Sequence, residues 1–454
     1  MLACFTLETA NARPIHVMTQ SEFVEWLNQQ GVATKMWLTD SGFKAEAGNV
    51  SVVPGDNGQI ALVVCCVQDK KNLWQVGGLS STLPEGCYHF VNADDQYQSY
   101  AVSWGLGAYQ FVRYKKPVRA PAKLILSAED IPTAENIVSS IYTVRDLINT
   151  PTEDMGPTEL ANEMQKIAKE YQADFSQIVG DELLKKNYPA IHAVGRASDD
   201  APRLLNLRWG DSSHPKVTLV GKGVCFDTGG LDLKPSQYML LMKKDMGGAA
   251  NVLGLARMIM CAKLPVDLRV IIPAVENAVS GNAYRPGDVI KSRKGLTIEI
   301  GNTDAEGRVV LADALTEAVS EKPDLIIDMA TLTGAARVAV GTELAAVFSN
   351  NDEMVNAVMA AGDEQYDPMW RLPLFSSYRE SLNSLIADIN NNSSDSYAGA
   401  ITAALFLQEF VGEDIPWLHF DIMAWNTRAK PGKPIGGEAM ALRGLFAYLT
   451  NKYT

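Results

Sequence analysis

Histidine is scarce in this chain, with five among 454 residues. His16, His89, His192, His214 and His419 are scattered, no two at helical spacing and none in an H-E-x-x-H arrangement, so each reads as structural. A metal site here would have to be built mainly from oxygen ligands. The six cysteines contain no C-x-x-C, and the adjacent Cys65 and Cys66 fall in an apolar, strand-like run, so they read as buried reduced thiols. No apolar stretch approaches the roughly 18 residues that span a bilayer. The first residues, MLACFTLETANARPIH, lack the basic start and apolar core of a secretion signal, and the expectation is a cytoplasmic protein. Positive charge is not in excess either. The chain has 53 acidic against 40 basic residues, a formal charge of -13, and so no electrostatic reason to bind nucleic acid or an anionic membrane. No internal repeat or low-complexity tract is evident.

What is present is the composition of a soluble globular protein, 47% hydrophobic and 20% charged, long enough for two or three domains. Residues 1–128 alternate short apolar runs (IALVVCCV, AKLILSA) with helix-like stretches such as QSEFVEWLNQQG, a smaller α/β domain without a chemical motif. IPTAENIVSSIYTVRDLIN then reads as an amphipathic linker helix. It opens the second expected domain, residues 129–454. There VTLV, LRVII, LTIEI, LIIDMA and WLHFDIMAW read as strands. Helices are expected from about Met246 to Ala262, after NTDAEGR, over SSYRESLNSLIADI and GAITAALFLQEFV, and in the closing GEAMALRGLFAYLTN. Such alternation implies a mostly parallel central sheet flanked by helices. NNNSSDSYAGA reads as a mobile loop.

Three polar motifs fall at corresponding places in this alternation. GKGVCFDTGGLDLKP follows a strand and carries Lys222, Asp227 and Lys234; KKDMGGAANV places Asp245 just ahead of a helix; NTDAEGR, residues 302–308, lies between a strand and a helix. In a strand-like backbone Asp304, Glu306 and Arg308 would share one face. Ligand sites of open α/β sheets lie where such loops meet. Together the motifs bring four carboxylates, Asp227, Asp245, Asp304 and Glu306, which would repel unless cations intervened. Two divalent ions would balance them, and two-metal hydrolytic sites hold their ions about 3.5 to 4 Å apart. Each motif alone has a plainer reading. NTDAEGR could be a solvated turn, the glycines simple turn residues, and Asp245 a helix N-cap. GKG lacks the full phosphate-loop pattern.

These three motifs, with DMATLTGA and PAVENAVSGNAYRPGDVI around them, resemble the leucyl (cytosol) aminopeptidase family over roughly residues 145 to 454, and NTDAEGR is its signature. The resemblance implies a two-domain di-metal aminopeptidase that hydrolyses the N-terminal residue of peptides, with a leucine-type apolar preference. One ion would be held by Asp227, Asp304 and Glu306, the other by Lys222, Asp227, Asp245 and Glu306, with Lys222 as a neutral amine. Manganese, zinc or magnesium would suit. A metal-bridging hydroxide would attack the carbonyl, Lys234 would stabilise the oxyanion, and Arg308 would anchor a bicarbonate acting as general base. Met242, Thr331 and Gly334 match positions lining the pocket for the first side chain. The resemblance also implies a homohexamer. Two departures bear on substrate preference: KKD adds Lys244 beside Asp245, and HFDIMAWN brings in the bulkier Met423 and Trp425. The other readings kept open are two-metal phosphoester hydrolysis and a non-enzymatic DNA-binding or regulatory member of the family.

Overall fold

A computed structural model describes residues 1–117 and 119–454, and the side chain of Asp94 is likewise outside the description. The chain divides into two compact units, Met1–Tyr142 with Arg428–Ile435, and Thr143–Thr427 with Gly436–Thr454. The chain passes between them in the helix Ile131–Asn149, over the residues expected for it.

The first unit is built on a six-stranded sheet in the order Phe5–Thr6, Lys123–Ile125, Cys87–Val91, Arg13–Met18, Ile60–Cys66, Val50–Pro54, parallel except for its last pair. IALVVCCV supplies an inner strand, and the helix Tyr97–Gly107 buries Tyr100 and Trp104. No disulfide is formed among the described residues. Cys4, Cys65, Cys66 and Cys225 are buried thiols as expected, whereas Cys261 is exposed.

The second unit carries a nine-stranded sheet. In chain order its strands are β1 Asp174–Val179, β2 Arg203–Trp209, β3 Lys216–Gly221, β4 Gly223–Asp227, β5 Asp267–Asn277, β6 Leu325–Ala330, β7 Ala345–Ser349, β8 Met369–Arg371 and β9 Trp417–Asp421. Their spatial order is β8-β7-β9-β6-β3-β5-β2-β1, with β4 paired to β5. The central run β9-β6-β3-β5 is parallel. Antiparallel pairs appear only toward the edges, between β5 and β2, β2 and β1, and β7 and β9. Four helices matter for the site: α1 Gly247–Ala262, α2 Glu306–Ser320, α3 Gly334–Val340 and α4 Gly399–Val411. The central strands are apolar on both faces because α1 covers one and α2 the other, which is why they lack alternation.

Three expectations are corrected. LTIEI forms a strand, Thr297–Glu299, but in a separate three-stranded sheet with Val289–Lys291 and Ile389–Asn390. A short apolar run specifies an extended backbone without specifying which edge it pairs with. SSYRESLNSLIADI is helical only as a 3₁₀ segment, Ser376–Leu382. The run NNNSSDSYAGA, read as a mobile loop, is not a loop throughout: it begins in the strand Ile389–Asn390, ends in the helix that starts at Gly399, and buries Asn391 fully.

Candidate metal centre

The sheet delivers the site at the carboxyl ends of its parallel strands. Lys222 directly follows β3, Asp227 ends β4, Asn277 ends β5, Thr331 follows β6 and Asp421 ends β9. Asp245 comes from the 3₁₀ turn Met242–Met246 that leads into α1. It is not the N-cap of that helix, a place taken by Met246. Asp304 lies in the turn before α2, whose first residue is Glu306. The strand-like backbone expected for NTDAEGR is therefore absent: Glu306 and Arg308 sit in a helical first turn, and their convergence on the site does not come from a two-residue repeat.

Asp227, Asp245 and Glu306 are buried, and each offers a carboxylate oxygen within 4.8 Å of the others. Two ammonium groups bridge the carboxylates in pairs. Lys222 Nζ lies 2.7 Å from Asp245 Oδ2 and 2.8 Å from Glu306 Oε1. Lys234 Nζ lies 2.8 Å from Asp227 Oδ2 and also pairs with Asp304. The Lys222 contacts are at ion-pair distance but off the direction of a hydrogen bond. Asp245 Oδ2 and both oxygens of Glu306 consequently accept no hydrogen bond, although they are buried. The attraction persists at these distances, because attraction between charges needs no particular direction. The directed bond from Lys222 Nζ goes to the Thr331 carbonyl, at 3.1 Å.

Electrostatics follow from this crowding. Burial works against the Lys222 charge, but Asp245, Glu306 and Asp227 overcome it and hold its pKa above the usual lysine value. Glu306 is pushed well above the carboxylate range by burial and by Asp227. Burial and Asp227 raise Asp304 to about 6. Burial lowers Lys244 to about 8 and Arg308 to about 10.

A layer of further side chains holds the carboxylates and the turn before α2, and of these only Thr331 was singled out from sequence. Asn277 Nδ2 donates to Asp227 Oδ1 at 2.8 Å and to the Thr303 carbonyl at 3.1 Å. Tyr284 donates to the same carbonyl at 2.6 Å. Thr303 N donates to Asp232 Oδ2 at 2.8 Å, and the Thr331 hydroxyl lies 2.8 Å from Asp245 Oδ1. Asn391 accepts from Gly301 N and Asn302 N and donates to the carbonyls of Asn302 and Ala305, clamping the turn that carries Asp304. These residues are 19 to 90 positions from their partners, so no local pattern marks them. In DTGG, Gly229 and Gly230 have φ of +87° and +64°, which bears out the turn reading of these glycines.

The carboxylates open into a cavity of about 420 Å³. Met242, Thr331 and Gly334 line it, together with Lys222, Lys234, Asp227, Asp245, Asp304 and Glu306. Lys244 and Arg337 share the lining. Met423, Trp425 and Arg308 do not. Arg308 is buried beside the turn; its Nη1 donates to the Asn391 carbonyl at 2.8 Å, and its Nε has no hydrogen-bond partner.

Residues 142–446 match the model of the cytosol aminopeptidase family's catalytic domain, and residues 13–127 match the N-terminal domain of aminopeptidases of the same family. A probable cytosol aminopeptidase of Rhodopirellula baltica is 44% identical over 328 residues, which is 72% of this chain and 64% of the relative. One of Syntrophotalea carbinolica is 43% identical over 71% of this chain and 65% of its own length. The chain thus aligns with just under two thirds of these two relatives. Among solved structures, the cytosol aminopeptidase of Coxiella burnetii superimposes with a TM-score of 0.97 at 52% identity, covering all of both chains. The bottromycin maturation enzyme BotP in complex with Mn gives 0.87 at 31% identity, covering 98% of this chain and all of that one. Matched along nearly its whole length, and with the carboxylates of three separate motifs gathered at one sheet edge, the chain belongs to the cytosol aminopeptidase family.

Proposed function

We propose that this chain is a metal-dependent aminopeptidase that removes the N-terminal residue of peptides in the cytoplasm. The observation that carries the reading is the buried trio Asp227, Asp245 and Glu306, in which Asp245 Oδ2 and both oxygens of Glu306 accept no hydrogen bond and two lysines supply the countercharge. Buried carboxylates without donors are costly, and a divalent cation is the group that best relieves them. The donor set, oxygens with one amine, suits manganese, zinc or magnesium, and manganese is the metal named with BotP. Asp227, Asp304 and Glu306 would hold one ion, and Lys222, Asp227, Asp245 and Glu306 the other. When bound, such ions polarise a carbonyl and activate water.

The chain's own groups do the remaining work. Lys222 must give up its proton to act as a ligand, against the three carboxylates that stabilise its charge. Lys234, released from Asp227 and Asp304 as these turn to cations, is the ammonium in the cavity placed to donate to an oxyanion. Among the described residues no histidine lines the cavity, which is consistent with a bound anion as general base. Bicarbonate held at Arg308 would fill that role: Nη1 is anchored on the Asn391 carbonyl, and the buried Nε, which has no hydrogen-bond partner among the described residues, would gain one from an anion that reached it from the cavity. Met242, Thr331 and Gly334 supply apolar and small surface that accepts a leucine side chain. A homohexamer is the expected assembly, and light scattering showing a monomer would contradict it.

The test is turnover of leucine anilide with added manganese, beside an N-acetylated control. Cleavage of the free amine alone, abolished by Asp304→Ala, is expected; activity that survives Asp304→Ala, or equal cleavage of the acetylated substrate, overturns the reading.

A further inference from the structure

The cavity that holds the carboxylates also holds two cations without an ion-pair partner among the described residues. Lys244 is 2% exposed and still lines the cavity. Among the described residues its ammonium makes no hydrogen bond and no ion pair. The carboxylates that attract it are engaged elsewhere. Asp245 is held by Lys222 and Thr331, and Asp421 accepts from Leu332 N, Thr333 N and the Thr333 hydroxyl. Arg337, on α3, is half-buried and likewise has no ion pair or hydrogen bond among the described residues. Its guanidinium folds back over the start of that helix: a Cβ on Gly334 would lie 3.5 Å from Arg337 Nη2. Lys244 and Arg337 are near enough to repel each other.

A buried ammonium beside a guanidinium, both unpaired, is an arrangement that a ligand carboxylate completes. The position of the pair says which carboxylate. Lys244 directly precedes Asp245, and Thr331, whose hydroxyl reaches Asp245, leads into α3, which carries Arg337. A peptide held by its amino end at the acidic cluster would therefore place its own first side chain, rather than a distant chain end, beside both cations. The guanidinium offers a planar fork and the ammonium a point charge, a combination that fits one carboxylate of an aspartate or glutamate.

We propose that the cavity selects peptides whose first residue is aspartate or glutamate, with Lys244 and Arg337 receiving the side-chain carboxylate. The inference rests on the aminopeptidase reading. It names a preference over the leucine that the same pocket accepts.

Anilides of glutamate, glutamine, aspartate and leucine, which carry no chain-terminal carboxylate, test it with the manganese-loaded protein. The expected kcat/KM for glutamate exceeds that for glutamine by about tenfold or more, the scale on which a site built around a polar group rejects an analogue that leaves it unpaired. Lys244→Met, which keeps the volume of the buried chain, and Arg337→Met, on a half-exposed residue, should each lower the glutamate-to-leucine ratio by about tenfold. Calorimetry with free glutamate should show the same weakening in both variants relative to free leucine. Equal turnover of glutamine and glutamate, or a ratio unchanged in both variants, overturns the proposal while leaving the aminopeptidase reading in place. Cleavage of none of the anilides overturns both.

Discussion

Gly307 leaves to Lys222 the space that any other side chain would occupy: a Cβ at residue 307 would stand 2.6 Å from Lys222 Cε and 2.7 Å from its Nζ. Gly307 lies within α2 and has no positive φ, so it is not a hinge that lets the chain turn into the helix. It is a gap through which the lysine reaches Asp245 and Glu306. In most helix interiors glycine to alanine stabilises, by about 1 kcal/mol. Here Gly307→Ala should do the opposite, since overpacking of a filled interior costs about 1–3 kcal/mol. The checks are thermal unfolding and manganese titration by calorimetry, with a lowered midpoint and at least about tenfold weaker binding expected. An unchanged affinity would remove Lys222 from the ligand set.

Chelation and pH should act on the same carboxylates. In the metal-free protein burial and Asp227 hold Asp304 at about 6, above its ordinary 3.8. A proton on Asp304 competes with a cation for the same oxygen, so apparent manganese affinity should fall as pH drops through about 6 and level off above it. EDTA should lower the unfolding midpoint, and added manganese should restore it, because a ligand that binds only the folded state stabilises it. An affinity that does not change between pH 5 and 8 would contradict the placement of Asp304 among the ligands.

Beneath the site, His419 on β9 faces Asp328 on β6 with Nδ1 2.6 Å from Oδ1, both fully buried, and Trp417 Nε1 holds the other oxygen at 2.6 Å. Burial alone would lower the imidazole pKa, but Asp328 outweighs it and raises it above 6.5. A raised pKa in the folded state gives stability that is fully present below 6.5 and is lost as pH rises through the folded value. Asp328→Asn would strand the charge and should cost about 3–5 kcal/mol. Denaturant unfolding of the variant across that range should show a smaller loss with rising pH than the parent. Equal pH slopes would mean that the histidine is neutral throughout.

Arg308→Met removes the proposed anion anchor without touching a carboxylate ligand. Turnover should fall by about 10² or more, the lower end of what general bases contribute, with KM little changed and manganese binding retained. Bicarbonate should stimulate the parent and not the variant. A drop in manganese affinity would instead mark Arg308 as support for the turn at Asp304, through its bond to the Asn391 carbonyl.

Much of the site was legible because its carboxylates are concentrated in three short motifs at strand and helix boundaries. Asp227, Asp245, Asp304 and Glu306 were identifiable as a set of acids that only cations could reconcile. Arg308 was identifiable by its motif, but not its withdrawal from the cavity lining, because a helical turn replaced the extended backbone expected at NTDAEGR. Asn277, Tyr284 and Asn391 were not legible at all. Each acts through one or two directed bonds to a distant carbonyl or carboxylate, and a single polar residue in an apolar or loop-like run carries no periodic signal.

By itself the sequence determined the alternation of strand and helix, the scarcity of histidine and which acidic residues stand in the three motifs. Those properties are local or additive, set by backbone preference, hydrophobic pattern and residue type. Only the tertiary structure decided that LTIEI pairs outside the main sheet, that Gly307 makes room for Lys222, and that Lys244 and Arg337 line the cavity without ion-pair partners among the described residues while Met423 and Trp425 do not line it. Those are questions of which groups meet across tens of residues, and they are settled by packing, where a few ångströms separate a ligand from a bystander.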